Sequence, residues 1–362
     1  MSLLAIFLIA SCDGSDCHIN SAQHAVIVQE LVDILDSNPG LHDQIVDALN
    51  QQEENSFWYG QTIEYMYDFF DEWLVFLPTP EDARKYMDAF YEFTDSTDGR
   101  AAVLEDPFRN WLYEFMVARG QFMDSEASTD VLPWWTSDPD INIEDYVIPA
   151  DGFQSFNDFF TRQIKPGVRP IAVPGDNTVL VSPSDSTIMK IADSLTSQST
   201  IEVKSDSLYV RDLLGGDELA AAFIGGKAIL CMLATTDYHR FHSPVTGNII
   251  SEAQLAGLYY GMTGGWVDYF FEHRRGYYIF DTDEFGLVGM VCVGMFTISS
   301  IEFTQQVGSF VAKGDEVGHF AYGGSAIILL FEPNHVEFSV PLNQGPVYVH
   351  MGEQLGSRIA EP

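Results

Sequence analysis

The chain has 362 residues, 53 acidic against 17 basic side chains, a formal net charge of −36 and 46% hydrophobic residues. That length fits one large or two ordinary domains, and the apolar fraction suffices for a real core, so the acidity does not signal a disordered chain. The charge excludes a nucleic-acid binder, which needs clustered Lys and Arg, and argues against broad docking on anionic lipid; the expected partners are small molecules, cationic ones included.

The acidity is uneven. No Lys or Arg precedes Arg84, and residues 21–147 carry 27 acids and 5 bases against 24 and 12 in residues 148–362. Such a split suggests two domains with different surfaces. An acidic surface also keeps a protein soluble when salt screens charge.

At the start, Leu3–Leu8 is apolar and Ile9-Ala10-Ser11 leads to Cys12. Apolar-small-small-Cys resembles a bacterial lipoprotein cleavage box, so residues 1–20 are expected to act as signal and tether through Cys12, although Met1-Ser2 carries no basic side chain. Without that tether a cytoplasmic location is expected. No later run reaches the roughly 18 apolar residues of a spanning helix. Residues 22–125 then read as helical. Ala25, Val28, Leu31, Val32 and Leu35 recur at helical spacing until Asn38-Pro39-Gly40. Ile63–Leu77 is rich in aromatic residues, Thr79-Pro80-Glu81-Asp82 looks like a helix start, and Asp106-Pro107 opens another helix that runs to Gly120. The aromatic stripe reads as helix core. Polar, Pro-containing residues 125–150 read as a linker.

From about residue 176 the period changes. Short β-rich runs (TVLVSP, TIMKIA, TIEVK, AILCMLA, YYIFD, LVGMVCVG, FTISSIEF, AIILLF, VEFSVPL) alternate with Gly, Asp, Asn and Pro. The expected fold class is α+β: a helical domain over 21–147, then an antiparallel β-rich domain over 148–362, built as a sandwich or partly closed barrel. Cys231 and Cys292 sit in apolar runs and read as buried thiols.

Three segments could carry chemistry. They are Val181-Ser182-Pro183-Ser184-Asp185, Asp237-Tyr238-His239-Arg240-Phe241-His242-Ser243-Pro244, and Gly323-Gly324-Ser325 ahead of an apolar strand. Together they offer a nucleophile, bases and a carboxylate. A serine hydrolase is disfavoured, because there is no G-x-S-x-G elbow and Ser325 precedes a strand. Metal is not expected, since the histidines lack a Cys or carboxylate cluster at ligand spacing. Singly, each segment could equally be packing or a plain turn.

In order, and with Phe159-Phe160-Thr161-Arg162-Gln163-Ile164-Lys165-Pro166-Gly167-Val168-Arg169-Pro170-Ile171 and Lys313-Gly314-Asp315-Glu316-Val317-Gly318-His319-Phe320, they resemble the phosphatidylserine decarboxylase family from about residue 153 to 355. The resemblance implies a self-processing, pyruvoyl-dependent decarboxylase. Ser325 attacks the carbonyl of Gly324, the peptide bond becomes an ester, and elimination leaves residue 325 as a pyruvoyl group. It further implies His242 as the base, Asp185 as the group that orients it, and glycines that permit a strained backbone at the cut. Residues 1–324 and 325–362 are expected to stay associated, because AIILLF and VEFSV read as core strands. A substrate amine then forms a Schiff base on the ketone, which acts as the electron sink for loss of CO2. His239 or His242 is the candidate proton donor, and Arg240, Arg274 and Arg275 are all candidates for the substrate's carboxylate. No metal or external cofactor is implied.

Three features depart from the family pattern. Ala326 follows the serine where many members have Ser or Thr. Leu255–Met262 lacks the polar Ser and Asn of the family's P-G-x-L-(F/Y)-S-V-N segment and places Tyr259 and Tyr260 beside Gly261 and Met262, the candidate substrate-binding residues. The acidic, aromatic helical half resembles the one found in a subfamily that includes fungal L-tryptophan decarboxylase. Together with the acidic surface these features favour a free amino acid as substrate, an aromatic one included, over phosphatidylserine. A non-catalytic binding module on the same fold is the reading of another class.

Overall fold

The structure, a computed structural model, describes residues 24–195, 210–255, 257, 274–295, 300–322, 324–342 and 345–360. Cys12 with the 1–20 segment, and the candidate substrate-binding residues Tyr259, Tyr260, Gly261 and Met262, lie outside the described residues.

Helices come first. α1 (Val26–Ser37) buries Val28, Leu31 and Leu35 and leaves Glu30, Asp33 and Asp36 in solvent. Asn38 breaks that run, and α2 (Pro39–Asn50) starts on Pro39 at once. Proline suits this position, since its missing N–H is one of the donors a helix start leaves unpaired. α3 (Ile63–Leu74) is capped by the Thr62 hydroxyl and buries Met66, Tyr67, Phe69, Phe70 and Trp73. The expected start at Thr79–Asp82 is instead a turn. The Asp82 carboxylate accepts from the N–H and hydroxyl of Thr79 at 2.6 Å each, and α4 (Lys85–Asp95) begins only at Lys85. α5 (Thr97–Leu104) and α6 (Asp106–Met123) complete an aromatic-rich core with α1–α4.

The polar stretch expected to be a linker is packed. α7 (Leu132–Thr136) buries Trp135, whose indole N–H donates to the Pro78 carbonyl at 2.7 Å. The buried Ser128 hydroxyl accepts from the Phe156 N–H at 2.7 Å and so ties this stretch to α8 (Phe156–Phe160). A shared core of Met123, Trp135, Phe156, Phe160, Tyr238 and Tyr322 joins the helices to the strands.

The strands run in chain order as β1 (Val179–Val181), β2 (Ser186–Ala192), β3 (Lys227–Leu233), β4 (Arg240–His242), β5 (Gly247–Leu255), β6 (Arg275–Thr282) and β7 (Gly286–Met295). They continue with β8 (Ile301–Phe303), β9 (Phe310–Val311), β10 (Glu316–Phe320), β11 (Gly324–Phe331), β12 (Val336–Phe338), β13 (Val347–Val349) and β14 (Gln354–Arg358). An eight-stranded sheet, ordered β13-β2-β3-β11-β7-β6-β5-β9, faces two three-stranded sheets, β1-β14-β12 and β4-β10-β8. All named pairings are antiparallel, and the large sheet ends at β13 and β9 rather than closing. The molecule is therefore α+β with an open sandwich, not a barrel.

β11 is central. Ile327, Leu329 and Phe331 point into the core between the sheets, while Ala326, Ile328 and Leu330 meet Val210, Leu213 and Phe223 on the other face. A strand covered on both faces needs a continuous apolar run rather than alternation, and AIILLF is one. Cys231 and Cys292, on the two strands flanking β11, are fully buried thiols. No helix among the described residues is long and apolar enough to cross a membrane.

Candidate active site

The backbone brings the separated motifs together. The His242 N–H donates to the Pro183 carbonyl at 2.8 Å, and the Val181 N–H to Pro244 at 3.2 Å, so the Asp185 turn lies alongside β4. The Phe320 N–H donates to the His239 carbonyl at 2.9 Å, which sets β10 and the approach to Ser325 beside the histidines.

Ser325 is the second residue of β11, paired with Leu233 on one side and Gly294 on the other. Its hydroxyl is buried and without a partner among the described residues. Gly324 opposite Met295 is ordinary paired strand, and Gly323 lies outside the described residues, so the strain expected at the cut is not seen at Gly324.

His239 is fully buried. Its Nδ1–H donates to the Asp237 carbonyl at 2.9 Å, and its ring stacks on Phe160 at 3.9 Å between centroids. That bond fixes the tautomer and leaves Nε2 as a bare acceptor with no partner among the described residues. Burial, then the nearby Arg162 guanidinium, pulls its pKa down to about 3. Phe160 also meets the ring of Tyr322 edge-on, which places His239 one ring away from the residue two before Gly324.

His242 is held differently. Nδ1–H donates to the Gly314 carbonyl at 2.9 Å and Nε2 accepts from the Tyr238 hydroxyl at 3.0 Å. Burial lowers its pKa. Gly314 has φ +91°, and a Cβ there would lie 2.5 Å from Ile171 Cδ1, so only glycine can aim that carbonyl at the ring.

Asp185 does not bond His242 directly. Its carboxylate takes the Arg169 guanidinium fork, with Nη2 at 2.8 Å and Nε at 3.1 Å, and the Met351 N–H at 2.7 Å. His350 Nδ1 stands 3.6 Å from it, beyond a good hydrogen bond. The direct Asp185–His242 contact implied by the resemblance is thus replaced, in the uncut chain, by the fork of Arg169, which also holds Asp145 at 3.0 Å. A forked guanidinium outcompetes a neutral imidazole for a buried carboxylate.

Other motif cations hold backbone. Arg162 is buried against the rings of Tyr146 and Phe159 and donates to the carbonyls of Thr236 at 2.8 Å and Asp237 at 3.1 Å, which fixes the loop leading to His239. Lys313 Nζ donates to the carbonyls of Ala172, Val173, Asp176 and Val179 at 2.8–3.2 Å. Asp237 is buried, which raises its pKa to about 6, and it accepts from the Tyr348 hydroxyl at 2.8 Å. Arg169, Tyr238 and Phe160 lie inside motifs quoted above, but nothing in the sequence showed which atoms they would engage. His350 lies in no motif.

A family model described as phosphatidylserine decarboxylase matches residues 156–357, leaving α1–α7 outside the match. The chain is 36% identical over 257 residues to phosphatidylserine decarboxylase proenzyme 3 of Schizosaccharomyces pombe, covering 68% of this chain and 26% of that protein. It is 35% identical over 231 residues to proenzyme 2 of Oryza sativa subsp. japonica, covering 62% of this chain and 37% of the relative. It is 31% identical over 282 residues to the proenzyme of Clostridium novyi, covering 71% of this chain and 95% of the relative. The chain therefore spans about a quarter and just over a third of the first two relatives. All three are named for a phospholipid, which overturns the expectation of a free amino acid such as tryptophan as substrate. That expectation leaned on a whole-chain charge carried mostly by the helical surface, whereas a substrate meets only the groups lining its site. By its ordered motifs, its open sandwich and these similarities, the chain belongs to the phosphatidylserine decarboxylase family.

Proposed function

We propose that this chain is a self-processing, pyruvoyl-dependent decarboxylase that converts phosphatidylserine to phosphatidylethanolamine. The observation that carries the reading is the Ser325 hydroxyl, buried and without a partner among the described residues, directly after Gly324. An unpaired buried hydroxyl is costly and calls for an explanation; a nucleophile that attacks the preceding carbonyl is one. The residues at hand fit a pyruvoyl group made from Ser325, which supplies an electron sink for loss of the substrate carboxylate.

The cut itself is chemistry of this chain. The Ser325 Oγ–C bond to the Gly324 carbonyl forms as the Gly324–Ser325 C–N bond breaks, and the freed amine takes the proton. We assign the base to His242, supported by the charge of Asp185. Its Nε2 must first exchange the Tyr238 hydroxyl for that of Ser325. Elimination across Cα–Cβ then releases the Gly324 carboxylate, and hydrolysis of the resulting enamine releases ammonia. In turnover, Nε2 of His239, bare in the neutral ring, would take the proton that the substrate's ammonium group releases and return it to the substrate carbon; burial makes the ring, once protonated, a willing donor.

The test is direct. Purified protein is expected to show chains 1–324 and 325–362, the shorter one blocked by a pyruvoyl group, and to release CO2 from phosphatidylserine vesicles. Ser325→Ala is expected to stay uncut and inactive. An intact 40.5 kDa chain that is nonetheless active would overturn the reading.

A further inference from the structure

The turn between β3 and β4 aims the carbonyl that holds His239. The Asp237 N–H donates to the Ala234 carbonyl at 3.0 Å, and Asp237 Oδ2 accepts from the Ala234 N–H at 2.6 Å, so the turn is closed from both of its ends. The Asp237 carbonyl is thereby left facing His239 Nδ1 at 2.9 Å and Arg162 Nη2 at 3.1 Å. Asp237 is only 8% exposed. A carboxylate so far from water needs partners on both oxygens.

The partner of the other oxygen comes from beyond the proposed cut. The Tyr348 hydroxyl donates to Asp237 Oδ1 at 2.8 Å, from 111 residues further along the chain. Tyr348 is the middle residue of β13, the outermost strand at one end of the large sheet, where it stands opposite Thr187 of β2. Tyr348 is 49% exposed, so little of the core rests on its ring, and the part that reaches inward is the hydroxyl. Burial of that end, then the charges of Asp237 and Asp185, push the phenol's pKa up, so it stays protonated and is always the donor.

We propose that Tyr348 is a positioning residue for the His239 ring, acting through Asp237. The segment that follows the cut then supplies, besides residue 325, the hydroxyl that keeps the Asp237 turn closed. The inference rests on the decarboxylase reading above, in which His239 carries the proton in turnover. The ionised carboxylate can accept on both oxygens, whereas a protonated one spends one oxygen on its own proton. Burial raises the Asp237 pKa to about 6; the Ala234 N–H and the Tyr348 hydroxyl favour the charged form, Asp185 in the turn before β2 opposes it, and Arg162 beyond α8 favours it. Removing the Tyr348 hydroxyl therefore moves the Asp237 pKa further up, and the ionised, closed turn is lost at a higher pH.

Tyr348→Phe tests this, because it keeps the ring on its strand and removes only the donor. The variant is expected to process normally. With soluble short-chain phosphatidylserine at pH 7, kcat is expected to fall about 10-fold with KM little changed. The acid limb of its kcat–pH profile is expected to move to higher pH. Carbon NMR of the Asp237 carboxyl, assigned by its loss in Asp237→Asn, reads the first link without activity and is expected to show the same upward shift. An uncut variant, an unmoved Asp237 titration, or a fall in kcat with the acid limb in place overturns the inference. A moved Asp237 titration in a protein whose processed wild type releases no CO2 from phosphatidylserine would keep the Tyr348–Asp237 link and sink the decarboxylase reading.

Discussion

His239 combines two constraints in one ring. Its Nδ1–H is spent on the Asp237 carbonyl, and its buried Nε2 has no partner among the described residues. Burial holds the ring neutral, with a pKa near 3 against an ordinary 6.5. A histidine depressed in this way contributes stability that is full above about pH 6.5 and is lost as pH falls from there toward about 3. Asp237 opposes it: its raised pKa contributes stability present below about pH 3.8 and lost as pH rises through about 6. His242 and His319 are also depressed by burial and share the sign of His239. We expect the melting temperature to fall on acidification from pH 7 to 5, and His239→Phe to flatten that slope. Comparing variant with wild type at each pH cancels the surface charge, and parallel profiles would contradict the buried neutral ring. The bonding asymmetry between the two histidines was not legible in D-Y-H-R-x-H, because it depends on Gly314 and Phe160, far away in the chain.

Lys313 acts at the scale of elements. It opens the turn before β10, yet its ammonium ties together the carbonyls of the Ala172–Val179 segment that leads into β1. Two sheets of the sandwich are thereby joined by one cation. Lys313→Met keeps the stem and removes the donors, leaving several carbonyls short of a partner. We expect a loss of about 2–5 kcal/mol in urea unfolding, with the m-value unchanged. A shift below about 1 kcal/mol would show that water replaces the ammonium without cost. The strands themselves were largely legible, since the runs around β3, β6, β7 and β11 mark their positions and β11 reads as doubly buried. The helix before Lys85 was misplaced, because Asp82 satisfies Thr79 in a local turn that competes with a helix start.

For the whole molecule, the charge of −36 is mostly on the outer faces of the helices, as Glu30, Asp33 and Asp36 on α1 illustrate. Unpaired like charges repel over roughly 10 Å in 0.1 M salt and only about 3 Å in 1 M. We therefore expect sodium chloride to raise the melting temperature steadily between about 0.05 and 1 M. A flat or falling curve would show that the repulsion is already relieved by local pairing. The helices are not a detachable appendage: the Tyr322 hydroxyl, on the approach to Ser325, donates to the Ala83 carbonyl at 3.0 Å. The acidic half thus helps to frame the segment that carries the proposed cut.

What the amino-acid sequence determined by itself was the class of each half, the order of the motifs and the membership they imply, because periodicity and short contiguous patterns are local properties. The partners of Asp185, the His239 Nε2 left without a partner among the described residues, and the different partners of Arg240, Arg274 and Arg275 were decided only by the tertiary structure. Each depends on which strand lies beside which and in what register, and a change of one residue in register would carry an arginine to the opposite face of the sheet.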